Sequence, residues 1–346
     1  MNERVKVGIA GLGRSGWDIH ARVLEKLSTM YEVIAVADLL EERLNEAKAK
    51  FGCRTYKDFD SFASDEEIEL AVIATPTYLH APHTIKALRS GRNVICEKPM
   101  AVNLTEADAM IKAAKETGNL LTIFHNKRHW PDFLKVKEVI RSGRLGRIVL
   151  IRISLHSFAR RWDWQTLTEF GGGELRNNGV HLIDQALQLM GDAEPEVSCD
   201  LRRTLTLGDA EDHVKLILRA QGAPVVDIEV TRSCAYPQDY WLVMGTSGGL
   251  TGGGSSLRWK YIDPTALPRR KVETKPTPDR SFNSEELNWT EETWQLDGNS
   301  VLGEPAFYKE LYETLRHGNQ LGVTPESSRR VMEIMEKCRQ CPGMKS

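Results

Sequence analysis

Gly11, Gly13 and Gly16 form a G-x-G-x-x-G run directly after a β-branched stretch, Val5 to Ala10, and open an amphipathic segment from Gly16 to Ser28. Within that segment Ile19, Val23, Leu24 and Leu27 recur at helical spacing. In a strand–turn–helix of this order each glycine has a distinct role. Gly11 permits the tight turn, Gly13 lets backbone approach a diphosphate with no Cβ in the way, and Gly16 lets the helix close on the strand. The anion then meets unpaired N–H groups at the helix start, beside Arg14 and Ser15. A second strand pattern, Glu32 to Asp38, places a carboxylate about twenty residues on, where it can accept hydrogen bonds from both hydroxyls of a ribose and repel a 2′-phosphate. The spacing predicts a dinucleotide site that favours NAD over NADP, with Arg14 and Arg43 acting against that preference.

Further along lie Thr75-Pro76-Thr77-Tyr78-Leu79-His80, then Glu97-Lys98-Pro99 at a strand end, then Gly171-Gly172-Gly173 and Gly179-Val180-His181-Leu182-Ile183-Asp184. Together with the glycine loop, these motifs resemble the glucose-fructose oxidoreductase / inositol dehydrogenase / MocA family from about residue 4 to residue 340. The resemblance implies a dehydrogenase that moves a hydride between NAD and a hydroxyl carbon of a sugar, sugar acid, inositol or related polyol. It also implies roles. Lys98 hydrogen-bonds the oxygen of the reacting carbon, and His181 carries the hydroxyl proton. Glu97 approaches the nicotinamide ribose, while Thr75, Pro76 and His80 flank the cofactor.

Asn177, His181 and Asp184 share a helix face, with Asn178 beside them. Many dehydrogenases of the family carry an aspartate four residues before the histidine, and this chain has Asn177 there. An amide can orient a hydroxyl or a ring nitrogen but cannot stabilise an imidazolium by charge, so His181 is either a poorer base or divides the proton transfer differently with its neighbours. Asp184 is either the orienting acid or a structural residue. Asn126 and Arg128 match a family segment that lines the substrate crevice. Arg161-Trp162-Asp163-Trp164-Gln165 reads two ways, as a carbohydrate-binding loop using Arg161, Asp163 and Trp164 or as a rim or subunit loop anchored by Trp164. Two other activities are compatible with the family: an NAD-dependent glycosidase working by transient sugar oxidation, and a non-catalytic dinucleotide-binding regulator. Retention of both Lys98 and His181 argues against the regulator.

The elements that must position these residues divide the chain in two. Residues 1–124 alternate strands (Val5 to Ala10, Glu32 to Asp38, Leu70 to Ala74, Asn93 to Glu97, Leu120 to His125) with amphipathic stretches, one of them Asn103 to Thr117, predicting an α/β Rossmann domain with a doubly wound parallel sheet. Residues 125–346 hold strand patterns at Ile148 to His156, Glu196 to Leu201, His213 to Arg219, Val225 to Ser233 and Tyr240 to Met244, with helices at Leu134 to Ser142, Val180 to Met190, Phe307 to His317 and Pro325 to Gln340. That pattern predicts an α+β substrate-binding and oligomerisation domain with a large, mainly antiparallel sheet. The glycine-rich run Gly245 to Ser256 reads as hairpin turns, and Pro264 to Thr290 as a surface excursion.

Lys and Arg number 46 against 48 Asp and Glu, so no net field favours nucleic acid or an anionic membrane. Apolar runs are far shorter than the roughly 20 residues of a bilayer span, and no secretory leader pattern precedes the first strand; a cytoplasmic location is expected. Six scattered cysteines predict reduced thiols, and Cys338-x-x-Cys341 lacks the second pair that a zinc site needs, so no metal is expected. The family resemblance implies a homodimer or homotetramer assembled through the open face of the second sheet.

Overall fold

The computed structural model of the protein describes residues 3–277, 280–298 and 303–341. Six strands, β1 (Val5–Ala10), β2 (Tyr31–Ala37), β3 (Arg54–Tyr56), β4 (Leu70–Ile73), β5 (Asn93–Cys96) and β6 (Leu121–Ile123), pair in parallel in the order β3-β2-β1-β4-β5-β6. Val5, Val7, Ile9 and the whole of β4 are buried, as strands covered by helices on both faces must be. Chain order reverses between β1 and β4, so a crevice opens at the carboxyl ends of these two strands, beneath the glycine loop. The helix Leu104–Thr117 begins where its sequence says it should: the Asn103 side chain accepts from the Glu106 N–H, and Gly118 ends the helix with φ +71°.

Eight strands form the second sheet: β7 (Ile148–His156), β8 (Glu196–Arg202), β9 (His213–Arg219), β10 (Val225–Thr231), β11 (Trp241–Gly245), β12 (Gly248–Gly253), β13 (Ser256–Tyr261) and β14 (Thr290–Gln295). Their order is β14-β13-β12-β11-β7-β10-β9-β8, antiparallel except for the β7/β10 pair. The glycine-rich run is not all turn, contrary to expectation, because Gly248–Gly253 is an interior strand. A Cβ on Gly248 would stand 2.2 Å from the Lys260 carbonyl oxygen, and Gly252 sits at φ +129°, so the absent side chains let β12 lie close against its neighbours. β13 and β14, which the sequence patterns did not mark, extend the sheet beyond it, with the exposed excursion between them.

After the second sheet the chain returns to the first. The helix Gly303–His317 buries Phe307, Tyr308, Leu311 and Tyr312 in one cluster with Val5, Val7, Tyr31 and Ile95. Tyr31 Oη donates to the Tyr308 carbonyl at 2.7 Å, and Arg316 pairs with Glu69. The last helix, Pro325–Gln340, packs its Val331, Met332 and Met335 into the core shared with the helix Val180–Met190.

Candidate active site

The glycine loop is tied down by backbone contacts that leave one side open. Gly11 has φ +89°, and a Cβ there would lie 2.6 Å from the Ala74 carbonyl oxygen; a Cβ on Gly16 would lie 1.8 Å from the Gly11 carbonyl oxygen. A Cβ on Gly13 would meet nothing within 4 Å, which is the clearance a diphosphate requires. The following helix starts as π turns over Ser15–Ala21 before continuing as α-helix over Arg22–Lys26, a winding often found at functional sites. Asp38 accepts from the Leu12 N–H at 2.7 Å and the Leu40 N–H at 2.9 Å, with Arg43 Nη1 3.4 Å away. The carboxylate thus holds the loop to the end of β2. The donors and the open space fit a dinucleotide.

Next to this strip, His80 is buried between the carbonyl oxygens of Pro99 (2.8 Å) and Thr75 (2.9 Å), which fixes Pro76 and the Thr75 segment against the Glu97-Lys98-Pro99 turn. Burial lowers the His80 pKa, and the two carbonyl oxygens and the Glu97 charge oppose that shift. Glu97 is also buried. Burial alone would raise its pKa, but the hydrogen bond and charge of His20 and the nearby Lys98 outweigh that and hold it at about 2. His20 Nε2 lies 3.1 Å from Glu97 Oε1 and its Nδ1 lies 2.7 Å from Tyr308 Oη, so the carboxylate is positioned from the helix Gly303–His317.

Between the glycine loop and the second sheet lies a cavity of about 450 Å³, lined by Arg14, Ser15, Glu97, Lys98, Asn126, Arg161, Asn177, Asn178 and His181, together with Ile19, Phe124, Lys127, Gln165 and Arg232. Lys98 Nζ donates to the Asn177 main-chain oxygen at 2.8 Å, joining the strand end to the π turns Leu175–Gly179 that lead into the helix Val180–Met190. Burial pushes the Lys98 pKa down, and Glu97 pushes it back up. His181 is buried, and its Nδ1 has no hydrogen-bond partner among the described residues. Burial first, then the charges of Lys98 and Lys127, hold its pKa well below the usual imidazole value. The ring is therefore neutral at physiological pH, with a nitrogen lone pair free to take a proton.

The sequence of residues 5–125 matches the family model described as "Oxidoreductase family, NAD-binding Rossmann fold", and residues 133–251 match the "GFO/IDH/MocA C-terminal domain". The chain belongs to the GFO/IDH/MocA oxidoreductase family. Among relatives, the chain is 26% identical over 344 residues to scyllo-inositol 2-dehydrogenase (NADP(+)) IolW of Bacillus subtilis, covering 96% of this chain and 92% of that protein. It is 28% identical to myo-inositol 2-dehydrogenase of Thermotoga maritima over 70% of this chain and 74% of that one. The solved structure of an NAD-binding protein from Listeria innocua superposes with a TM-score of 0.80 at 25% identity, covering 98% of this chain and 97% of that chain.

Three residues expected at the substrate do not line the cavity of this family member. Arg128 is buried, with Nε and Nη2 on both oxygens of Asp184 (2.5 to 3.1 Å), Nη1 on the Gly322 carbonyl and Nη2 on Ser327 Oγ. Its fork is full, so it is a brace between the helix Val180–Met190 and the C-terminal segment, and Asp184 belongs to that brace rather than to His181. Trp164 is half exposed and away from the lining. Asp163 does not line the cavity either but grips Arg161, accepting from its Nε at 2.9 Å and its Nη2 at 2.8 Å.

Sequence reading passed over Glu174, Arg232 and Lys127. Glu174 is buried and gathers three partners: Arg232 at 2.8 Å, Asn178 Nδ2 at 2.6 Å and Arg161 at 3.7 Å. Glu174 and Asn178 stand four residues apart, but no local pattern ties Glu174 to Arg232, 58 positions on. Lys127 could have been noticed, since it sits between Asn126 and Arg128 in a segment already singled out.

Proposed function

We propose that the protein is an NAD-dependent dehydrogenase that converts a secondary hydroxyl of a sugar, sugar acid, inositol or related polyol to a carbonyl. The observation that carries this reading is the presence of a half-buried ammonium, Lys98, and a neutral imidazole, His181, with a nitrogen unpartnered among the described residues, in one cavity beside the glycine loop. A bound nicotinamide supplies the hydride acceptor. Lys98 holds the substrate oxygen and stabilises negative charge developing on it, while its bond to the Asn177 carbonyl fixes its direction. His181 removes the hydroxyl proton, and its low proton affinity means that it enters the reaction unprotonated. Asn177 offers an amide to a neighbouring hydroxyl, with Asn126 and Asn178 alongside.

NAD rather than NADP is supported by the surroundings of Asp38. Leu39, the next residue, is 86% exposed and offers nothing to a phosphate, whereas Arg43, within 3.4 Å of the Asp38 carboxylate, is the cation that acts against the preference. The Bacillus relative named for NADP makes this preference the sharpest point to test. The inositol dehydrogenases among the relatives favour net oxidation over transient oxidation in a glycosidase. In this reading residues 1–124 bind the cofactor and residues 125–346 the substrate, and the outward face of β11, with Leu242 and the half-exposed Met244 beside Trp289, joins copies of the chain.

Calorimetric titration with NAD and NADP, followed by a polyol and sugar-acid panel monitored at the nicotinamide absorbance, tests the proposal. Tighter binding of NAD and its reduction by at least one panel member are expected. Confirmed NAD binding with no turnover across the panel would count against it.

A further inference from the structure

Among the described residues, two cations of the cavity besides Lys98 have no carboxylate in a salt bridge with them, Arg14 at the diphosphate end and Lys127 at the substrate end. Arg161 is paired with Asp163, Arg232 with Glu174, and Lys98 has Glu97 beside it. Arg14 stands with Ser15 at the diphosphate end. The Lys127 ammonium makes no hydrogen bond or ion pair with any described residue, and Nζ rests over the rings of Trp130 (5.0 Å) and Tyr240 (5.6 Å). The carboxylates that influence it are committed elsewhere: Asp132 accepts from Trp241 Nε1 and the Gly254 N–H, and Glu304 accepts from Asn126 Nδ2. Burial pushes the Lys127 pKa down to about 8, a sign that the ammonium lacks a partner where it sits.

We infer that Lys127 is the receptor for a single negative charge on the substrate, so that the true substrate is a monoanionic sugar acid, an aldonic or uronic carboxylate, and not a neutral polyol. The inference rests on the dehydrogenase reading above and narrows it. The pairing argues for one carboxylate over a phosphate dianion: Arg161 and Arg232 are already engaged by Asp163 and Glu174, which leaves a single ammonium, Lys127, with no acceptor at the substrate end. The remaining lining there is amide, from Asn126, Gln165, Asn177 and Asn178, which suits hydroxyls and adds no charge. A carboxylate reaching Lys127 gives the ammonium its missing acceptor in a partly dry site, where charge-assisted bonds are strong.

The test uses the full chain saturated with NAD. Binding of D-glucuronate, D-galacturonate and D-gluconate is compared by calorimetry with that of D-glucose, D-galactose, myo-inositol and D-glucose 6-phosphate. At least one acid is expected to bind about 10- to 100-fold more tightly than its neutral counterpart. Lys127→Met should abolish that margin while leaving NAD affinity unchanged. Lys127→Arg should keep the margin, which guards against reading a folding defect as a charge effect. Equal affinity for acids and neutral sugars, binding of none of the acids, or an undiminished margin in Lys127→Met overturns the inference. Tighter binding of the phosphate than of every acid overturns the single-charge assignment. Acids that bind through Lys127 but never reduce NAD would sink the dehydrogenase reading and leave this site standing; neutral polyols oxidised with no acid preference would do the reverse.

Discussion

The two ends of the cavity are built on different principles. At the cofactor end the recognising groups are backbone: N–H groups of a glycine loop in which Gly11 and Gly16 have no room for a Cβ and Gly13 leaves the space open. At the proposed substrate end they are long side chains, Lys127, Arg161 and Arg232, the last two paired with Asp163 and Glu174. Backbone recognition suits a ligand that never changes, whereas side chains let one fold meet different ligands. The difference teaches where specificity is stored: little of it lies in the loop, most of it in charge arrangements across the crevice.

Breaking the cofactor end should have the largest effect. Gly16→Val puts a Cβ against the Gly11 carbonyl, so NADH fluorescence titration should show no binding even where circular dichroism shows a folded chain. At the chemical centre, His181→Ala should lower kcat by about 10²–10⁴-fold and Lys98→Ala by about 10²–10³-fold, each with NAD affinity nearly intact. If either also abolished NAD binding, the two ends would not be separable as described.

Arg128→Ala sharpens the comparison from the other side. It leaves the Asp184 carboxylate buried without its partner, so denaturant unfolding should show a loss of about 3–5 kcal/mol, while NAD affinity changes little. Smaller still is the pH response. Because the His181 pKa is depressed in the folded protein, kcat/KM for oxidation should hold as pH falls through 6.5 and decline only at lower pH. An ordinary imidazole would already be half protonated there. The same sign governs stability: His125, lowered to about 4 chiefly by burial, favours the folded state above pH 6.5, and that contribution should fade as pH drops towards 4 in acid-unfolding curves.

Local spacing made one part of this molecule legible. The G-x-G-x-x-G turn, Asp38 at the end of its strand pattern, the Asn103 cap and the Val180–Met190 helix could all be read because each depends on neighbours within a few residues. Lys98 and His181 were legible only as a matched family pattern, since nothing in their spacing says that a strand end and a helical turn 79 residues on from it meet at a 2.8 Å bond. Arg128 was misplaced for the same reason. Its direction is decided by Asp184 and Ser327, the latter 199 positions away, and a guanidinium that could have reached into the crevice points into the core instead. The glycines of β12 misled because a strand that needs closeness to its neighbours and a turn that needs positive φ ask for the same residue.

The return of the helix Gly303–His317 to the first sheet has a bearing on synthesis. Until residue 312 has left the ribosome, Val5, Val7 and Tyr31 lack the aromatic side chains that cover them, and Glu97 lacks the Tyr308–His20 relay that steadies it. The nucleotide-binding half is made first and completed last. A nascent chain that ended before that helix would carry a first sheet with part of its apolar cover missing.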